Sequence, residues 1–352
     1  MNRKKLPIGI QTFAKIREDN CYYVDKTPLI LKMIEQGSHY FLSRPRRFGK
    51  SLLIDTLGEL FSSNQALFTG LYIEDKWDWS ISYPVIRISF GGGIIESRSD
   101  LTNKIQEQLR INQEQLRITC QDQSTSVCFA ELIRFAHEKS GQRVVVLVDE
   151  YDKPILDNLL KPDVAKDIRD GLRNFYSVIK DTDAHIKFAM LTGVSKFSKV
   201  SLFSGLNNLN DITVDAPYSS ICGYTDEDLD TVFALELEGL DREQIRHWYN
   251  GYNWTGMSVY NPFDVLLLCE KRQFRAHWFE TGSPTFLIDV LCKRKMFTPN
   301  LDRMIAAEAL LSIFDVEQIS TEALLFQTGY LTIDTVRQLG SMTQFILRYP
   351  NH

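Results

Sequence analysis

The sequence predicts an α/β protein built on a parallel sheet with flanking helices, and three observations carry that expectation. Short apolar runs alternate with longer helical patterns over the first 200 residues, as strands with crossover helices do. Val144-Val145-Val146-Leu147-Val148 is apolar without alternation and mostly β-branched, so both its faces are covered, as in a central parallel strand. The turn Ser43–Gly49 lies between the run His39–Leu42 and an amphipathic helix whose apolar positions are Leu52, Leu53, Leu57, Leu60 and Phe61.

The remaining elements follow in order. Val85–Phe90 partly alternates and stops at Gly91-Gly92-Gly93, which predicts a strand nearer the sheet edge. A polar helix over Leu101–Arg117 and a more amphipathic one around Phe129, Leu132, Ile133 and Ala136 lead to the central strand. A helix over Val164–Ile179 then leads to a strand over Ile186–Thr192. Beyond about residue 222 the pattern becomes helical, opening at Thr225-Asp226-Glu227-Asp228 with a capping residue and first-turn acids. The last 50 residues predict helices at Ala306–Ile313 and Thr321–Phe326, then a hairpin pairing Tyr330–Ile333 with Phe345–Leu347.

Composition bounds the function. The 352 residues are 44% hydrophobic, 11% aromatic and 24% charged, with a net charge of −5, which excludes wholesale disorder and a generally basic nucleic-acid coat. The six cysteines are scattered without a C-x-x-C pair and are expected to be reduced core residues. The six histidines show no metal-ligand spacing. The charged residues 1–7 are not followed by the apolar stretch of a signal peptide, and no apolar run approaches the ~20 residues that span a bilayer. A cytoplasmic protein with no membrane partner is expected.

The chemistry concentrates in two strings. Arg44-Pro45-Arg46-Arg47-Phe48-Gly49-Lys50-Ser51 matches the phosphate-binding pattern G-x-x-x-x-G-K-[ST] except at its first position, where Arg44 replaces glycine. Gly49 lets the backbone curl so that successive N–H groups face a phosphate. Lys50 would reach the β- and γ-phosphates and Ser51 would ligate Mg²⁺, with Leu52 closing the segment. Arg44, Arg46 and Arg47 could add phosphate contacts, Arg44 could mark a changed entry path, and a basic surface turn is the bland alternative.

The second string is the strand ending in Asp149-Glu150, where Asp149 would help hold Mg²⁺ and Glu150 would polarise a water. Thr192, at the end of the next strand, would touch the γ-phosphate or the water, or would simply be satisfied within the fold. Asp152 would cap the following turn rather than tune the site. Arg169 and Arg173 are candidates for an arginine that completes the site. The aromatic group Trp248, Tyr249, Tyr252 and Trp254 reads as packing, and Lys196 and Lys199 as solvated.

Taken together, these strings make the chain resemble the AAA-ATPase-like family. Further matching strings are Tyr23-Val24-Asp25-Lys26-Thr27, Leu191–Ser195, Ser201–Leu209, Trp248–Tyr252, Tyr260-Asn261-Pro262-Phe263, Thr281–Leu287 and Phe326–Thr332. The resemblance implies an ASCE-type P-loop NTPase sheet over residues 1–222, a helical lid over 223–298 and a winged-helix-like part over 299–352. It also implies ATP and Mg²⁺ as cofactors, hydrolysis as the activity, and Arg44 as a family substitution. Residues 23–27 are expected near the adenine or lid edge of the site, or in simple packing. Members commonly continue into a PD-(D/E)xK nuclease domain. The sequence stops at His352 and its one matching triplet, Glu74-Asp75-Lys76, reads as a polar turn, so that domain is expected to be absent and no nuclease activity is expected. The alternatives are a non-hydrolysing nucleotide switch and a module binding DNA through the C-terminal part. A homo-oligomer or a partner protein is compatible with each.

Overall fold

A computed structural model describes residues 3–195, 209–278, 292, 304–307, 320–340 and 342–350. Two short N-terminal helices, α1 (Phe13–Glu18) and α2 (Thr27–Gln36), precede β1 (His39–Ser43), which runs into the loop 44–49 and α3 (Lys50–Phe61). Next come β2 (Val85–Ser89), α4 (Arg98–Leu116), α5 (Thr125–Ser140) and β3 (Val144–Asp149). These are followed by α6 (Lys153–Leu156), α7 (Pro162–Asp181), β4 (Ile186–Gly193) and β5 (Asn210–Asp211).

The five strands form one sheet in the order β2-β3-β4-β1-β5, with every neighbouring pair parallel. β1, β3 and nearly all of β4 are buried, as expected of strands covered on both faces, whereas β2 alternates and lies at the edge. β4 is inserted between β1 and β3. Its register sets Ser43 beside Gly193 and Leu42 beside Thr192, while Val148 lies beside Leu191. Parallel pairing therefore brings three strand ends, remote in sequence, to one edge of the sheet.

The helices cover this sheet with apolar faces. In α3, Leu53, Ile54, Leu57, Leu60 and Phe61 are buried, and in α7 the buried set Ala165, Ile168, Leu172, Phe175, Tyr176 and Ile179 follows the 3–4 spacing of a helical stripe. Phe175 stacks on Phe129 of α5 with ring centroids 4.6 Å apart.

A second apolar cluster gathers α8 (Asp226–Thr231), α9 (Ala234–Leu237), α10 (Arg242–Tyr249) and α11 (Pro262–Lys271) around Phe233, Ile245, Tyr249, Val265 and Leu268, with Tyr22 and Val24 from the N-terminal segment. α8 opens with a capping box, in which the Thr225 hydroxyl accepts from the Asp228 amide and the Asp228 carboxylate accepts from the Thr225 amide. The C-terminal residues build a three-stranded antiparallel sheet, β6 (Met304–Ala307), β7 (Thr332–Leu339) and β8 (Met342–Arg348), in the order β6-β8-β7. α12 (Thr321–Thr328) precedes β7.

Two expectations need correction. Met304–Ala307 is a strand paired with β8, so the helix expected to begin at Ala306 does not begin there; local apolar spacing over so few residues does not separate helix from strand. Cys120 and Cys128 form a disulfide, with Cα atoms 5.2 Å apart, because the turn before α5 folds back on its first residues. Cys21, Cys222 and Cys269 are free and buried, and Cys292 is free and exposed. Among the described residues no helix is long and apolar enough to cross a membrane, and no three His, Cys, Asp or Glu side chains cluster to hold a metal.

Candidate functional site

The site lies where β1, β3 and β4 end. Gly49 adopts φ +94° and ψ 17° at the start of α3, a left-handed conformation that glycine takes without steric cost, and it ends the loop where the helix N-terminus begins. Lys50 is the first residue of α3 and only 6% exposed. Its Nζ donates to the carbonyls of Arg44 and Pro45, both at 2.9 Å, so the ammonium ties the two arms of the loop together. Burial pushes its pKa down, against the pull of Asp149 and Glu150.

The residues of the loop take separate directions. Arg44 is 1% exposed, and its guanidinium donates to the carbonyls of Ser43 (2.9 Å), Thr213 (2.7 Å) and Tyr218 (3.3 Å) while lying 4.0 Å from the centroid of the Trp254 ring. Burial lowers its pKa to about 10, which leaves it charged at neutral pH. The expectation that the Arg44 side chain could contact phosphate is therefore corrected: the interior carbonyls and the indole consume it. The entry path changes accordingly, with the Arg44 amide donating to the Gly193 carbonyl at 3.1 Å.

Pro45 packs against the turn at Gly329, where a Cβ would come within 2.7 Å of its ring. The Arg46 carbonyl accepts from Trp278 Nε1 at 3.2 Å. Arg47 adopts φ +69° and sets its guanidinium 4.5 Å from the Phe263 ring centroid. Phe48 is buried edge-to-face against Tyr252 and Trp254, at 4.7 and 5.5 Å.

Across β4, Asp149 is 8% exposed, and its Oδ1 accepts from Thr192 Oγ1 at 2.7 Å and from the Glu150 amide at 3.0 Å. Thr192 thus orients the acid, and its hydroxyl also approaches the Val148 carbonyl at 3.4 Å. Glu150 adopts φ +52° as the strand ends. Burial, and then Asp149, raise its pKa, while Lys50 and Arg46 pull it back.

A cavity of about 440 Å³ opens at this edge. Residues 46–52 and Glu150 form one part of its wall, with Gly91 and Lys153. Tyr22–Val24 and Lys26, with Phe263 and Leu266 of α11, form another. The segment 23–27 therefore lies at the cavity, anchored by Lys26 on Asp228 (2.9 Å) and by Asp25, whose carboxylate accepts from Thr27 and Tyr72. Arg44, Pro45, Asp149 and Thr192 stand behind the wall rather than in it.

Other expected residues fall elsewhere. Asp152 makes no side-chain cap on α6; its buried carboxylate accepts from the amides of Val194 (3.1 Å) and Ser195 (2.6 Å) and holds the turn after β4, and burial raises its pKa. Arg169 and Arg173 approach Asp170 at 3.4 and 3.6 Å and line no part of the cavity, so neither completes it from within this chain. The aromatic group is packing: Tyr249 stacks on Phe274, and Tyr252 and Trp254 back the loop. Glu74-Asp75-Lys76 is a turn. Lys196, Lys199, residues 201–208 and residues 281–287 lie outside the described residues.

Sequence reasoning assigned no role to Phe263 and Leu266. The Asn261-Pro262 helix start, where the Asn261 side chain accepts from the Phe263 amide at 2.9 Å, was the available signal for α11.

Comparison with known proteins accords with this geometry. A family model described as "Predicted AAA-ATPase" matches residues 7–203. The "Uncharacterized protein in vnfD 5'region" of Azotobacter chroococcum mcd 1 is 66% identical over 352 residues, 100% of this chain and 68% of that protein.

Proposed function

The chain belongs to the predicted AAA-ATPase family, and from that premise we propose that it binds ATP with Mg²⁺ on the loop 44–51 and hydrolyses it. The observation that carries this reading is the convergence, across the inserted strand β4, of a lysine-bearing loop and Glu150 on one cavity, with Asp149 directly behind its wall. The roles given to single residues below belong to the proposal.

Lys50 answers to a triphosphate. Its buried ammonium is held by two carbonyls, and an anion offers it a charged partner in place of dipoles. Ser51, in the first turn of α3, adds its hydroxyl beside the positive end of the helix. Ser51 and Asp149 are the residues that would hold Mg²⁺. They supply the hard oxygen donors that ion takes, and among the described residues Asp149 Oδ2 accepts no hydrogen bond while Oδ1 is fixed by Thr192. The bound ion would neutralise charge on the β- and γ-phosphate oxygens.

Glu150 orients the attacking water and takes its proton. Its carboxyl, raised by burial and by Asp149, is a better base than an exposed glutamate would be. The water oxygen bonds to the γ-phosphorus as the bond to the bridging oxygen breaks, giving ADP and phosphate. Phe263 and Leu266 on α11, together with Tyr22–Val24, supply the apolar wall that suits a nucleobase, so the helical region and the N-terminal segment would close on the nucleotide together.

Single-turnover phosphate release tests the reading. The native chain is expected to release phosphate, and Glu150→Gln is expected to bind MgATP while releasing phosphate ~10²–10⁴ times more slowly. Equal rates for the two chains would remove Glu150 from the chemistry.

A further inference from the structure

The loop carries three arginines, and the structure gives them three different fates. Arg44 is buried on backbone carbonyls and Trp254. Arg47 lies over Phe263. The Arg46 side chain is exposed, and among the described residues its guanidinium makes no hydrogen bond and no ion pair, although its backbone is pinned by Trp278 Nε1 on its carbonyl. A fixed backbone with a free cationic head is a device for reaching a charge that is not yet present.

Arg46 shares the cavity wall with Lys50, Ser51 and Glu150. We propose that Arg46 is the catalytic arginine that stabilises charge on the γ-phosphate in the transition state, supplied by the phosphate-binding loop of the same chain. This rests on the ATP-hydrolysing reading above.

The chemistry favours an arginine for this task. As water bonds to the γ-phosphorus and the bond to the bridging oxygen breaks, negative charge shifts toward the bridging and equatorial oxygens, while the water's proton passes to Glu150. A guanidinium presents parallel donors to two such oxygens, which an ammonium cannot do. Lys50, held low in the loop, serves the bound triphosphate, and Arg46 adds its contacts where charge develops. Arg169 and Arg173, engaged with Asp170 away from the cavity, are not needed. A chain that carries its own arginine hydrolyses ATP at the same rate per chain at every dilution.

The test compares the native chain with Arg46→Ala and Arg46→Lys. It uses calorimetric MgATP titration, single-turnover phosphate release, binding of MgADP–aluminium fluoride as a transition-state mimic, and turnover over a hundredfold protein dilution. Arg46→Ala is expected to bind MgATP within about threefold of native, to release phosphate ~10²–10³ times more slowly and to lose the mimic, with partial rescue by free guanidinium ion and none by Arg46→Lys. Native turnover in Arg46→Ala overturns the proposal. So does a defect confined to MgATP affinity with native turnover at saturation, and so does native turnover per chain that falls on dilution, which would place the arginine on a neighbouring copy. A native chain that does not bind MgATP fails the functional reading itself, and one that binds it without releasing phosphate fails the proposal through the absence of chemistry to catalyse.

Discussion

The two halves of the loop 44–51 are held by different parts of the molecule. Gly49, Lys50 and Ser51 belong to α3 and the parallel sheet, where a left-handed glycine and a helix N-terminus shape the backbone. Arg44 to Phe48, besides their bonds to Ser43, Lys50 and Gly193, are held by residues from beyond position 200: Thr213, Tyr218, Trp254, Phe263, Trp278 and Gly329. A glycine at the loop's first position normally gives a tight start. Here a buried arginine on an indole takes its place, and the loop's shape depends on the helical region and on the turn after α12. On the proposed function, nucleotide occupancy and the arrangement of those regions would be linked through these shared contacts.

The most disruptive way to probe that difference outside the reacting groups is Trp254→Ala, which removes the face on which Arg44 lies and one wall around Phe48. Loss of a buried tryptophan costs about 3–5 kcal/mol, and MgATP affinity should fall about tenfold further than in Tyr249→Ala, a comparable truncation in the second cluster. Thermal melts and calorimetry on the two variants check this. Equal MgATP affinities would show that the helical side does not shape the loop.

Thr192→Val is a smaller change. It removes the hydroxyl that fixes Asp149 Oδ1, and phosphate release should slow about tenfold with little change in stability or MgATP affinity. Single-turnover rates at saturating nucleotide read this directly.

A separate effect on the helical side is a pH slope in stability. Burial raises the Asp264 carboxyl on α11 to about 7, against the pull of the Trp278 amide it accepts from at 2.7 Å. An acid whose folded pKa is raised favours the folded state while protonated, so its contribution is full below about pH 4 and is lost as pH rises through about 7. Asp264→Asn keeps the acceptor and removes the titration. Its melting temperature should decline less than the native value between pH 5 and pH 8, and parallel pH profiles would assign the slope to other groups.

The contrast between the two halves also marks what the sequence made legible. Val144–Val148, His39–Leu42 and the Gly49-Lys50-Ser51 turn announce themselves because strand burial on both faces and helix initiation leave local signatures, whereas the position of β4 between β1 and β3 is a long-range pairing that only the structure supplies. The burial of Arg44, the hold of Asp152 on the turn after β4 and the Trp278 bond to Arg46 depend on partners 40 to more than 200 positions away. No pattern around those residues encodes such partners. Ala306 and Ala307 were misread as a helix start because a few apolar positions fit either periodicity until a partner strand selects one.

Calorimetric titration of MgATP into the native chain and Lys50→Ala tests the central claim most directly. The account predicts saturable binding to the native chain and a loss of at least about a hundredfold in affinity when the ammonium is removed, since that group is held by the loop carbonyls and lies in the field of Asp149 and Glu150. Equal affinities for the two chains would place the nucleotide elsewhere and contradict it.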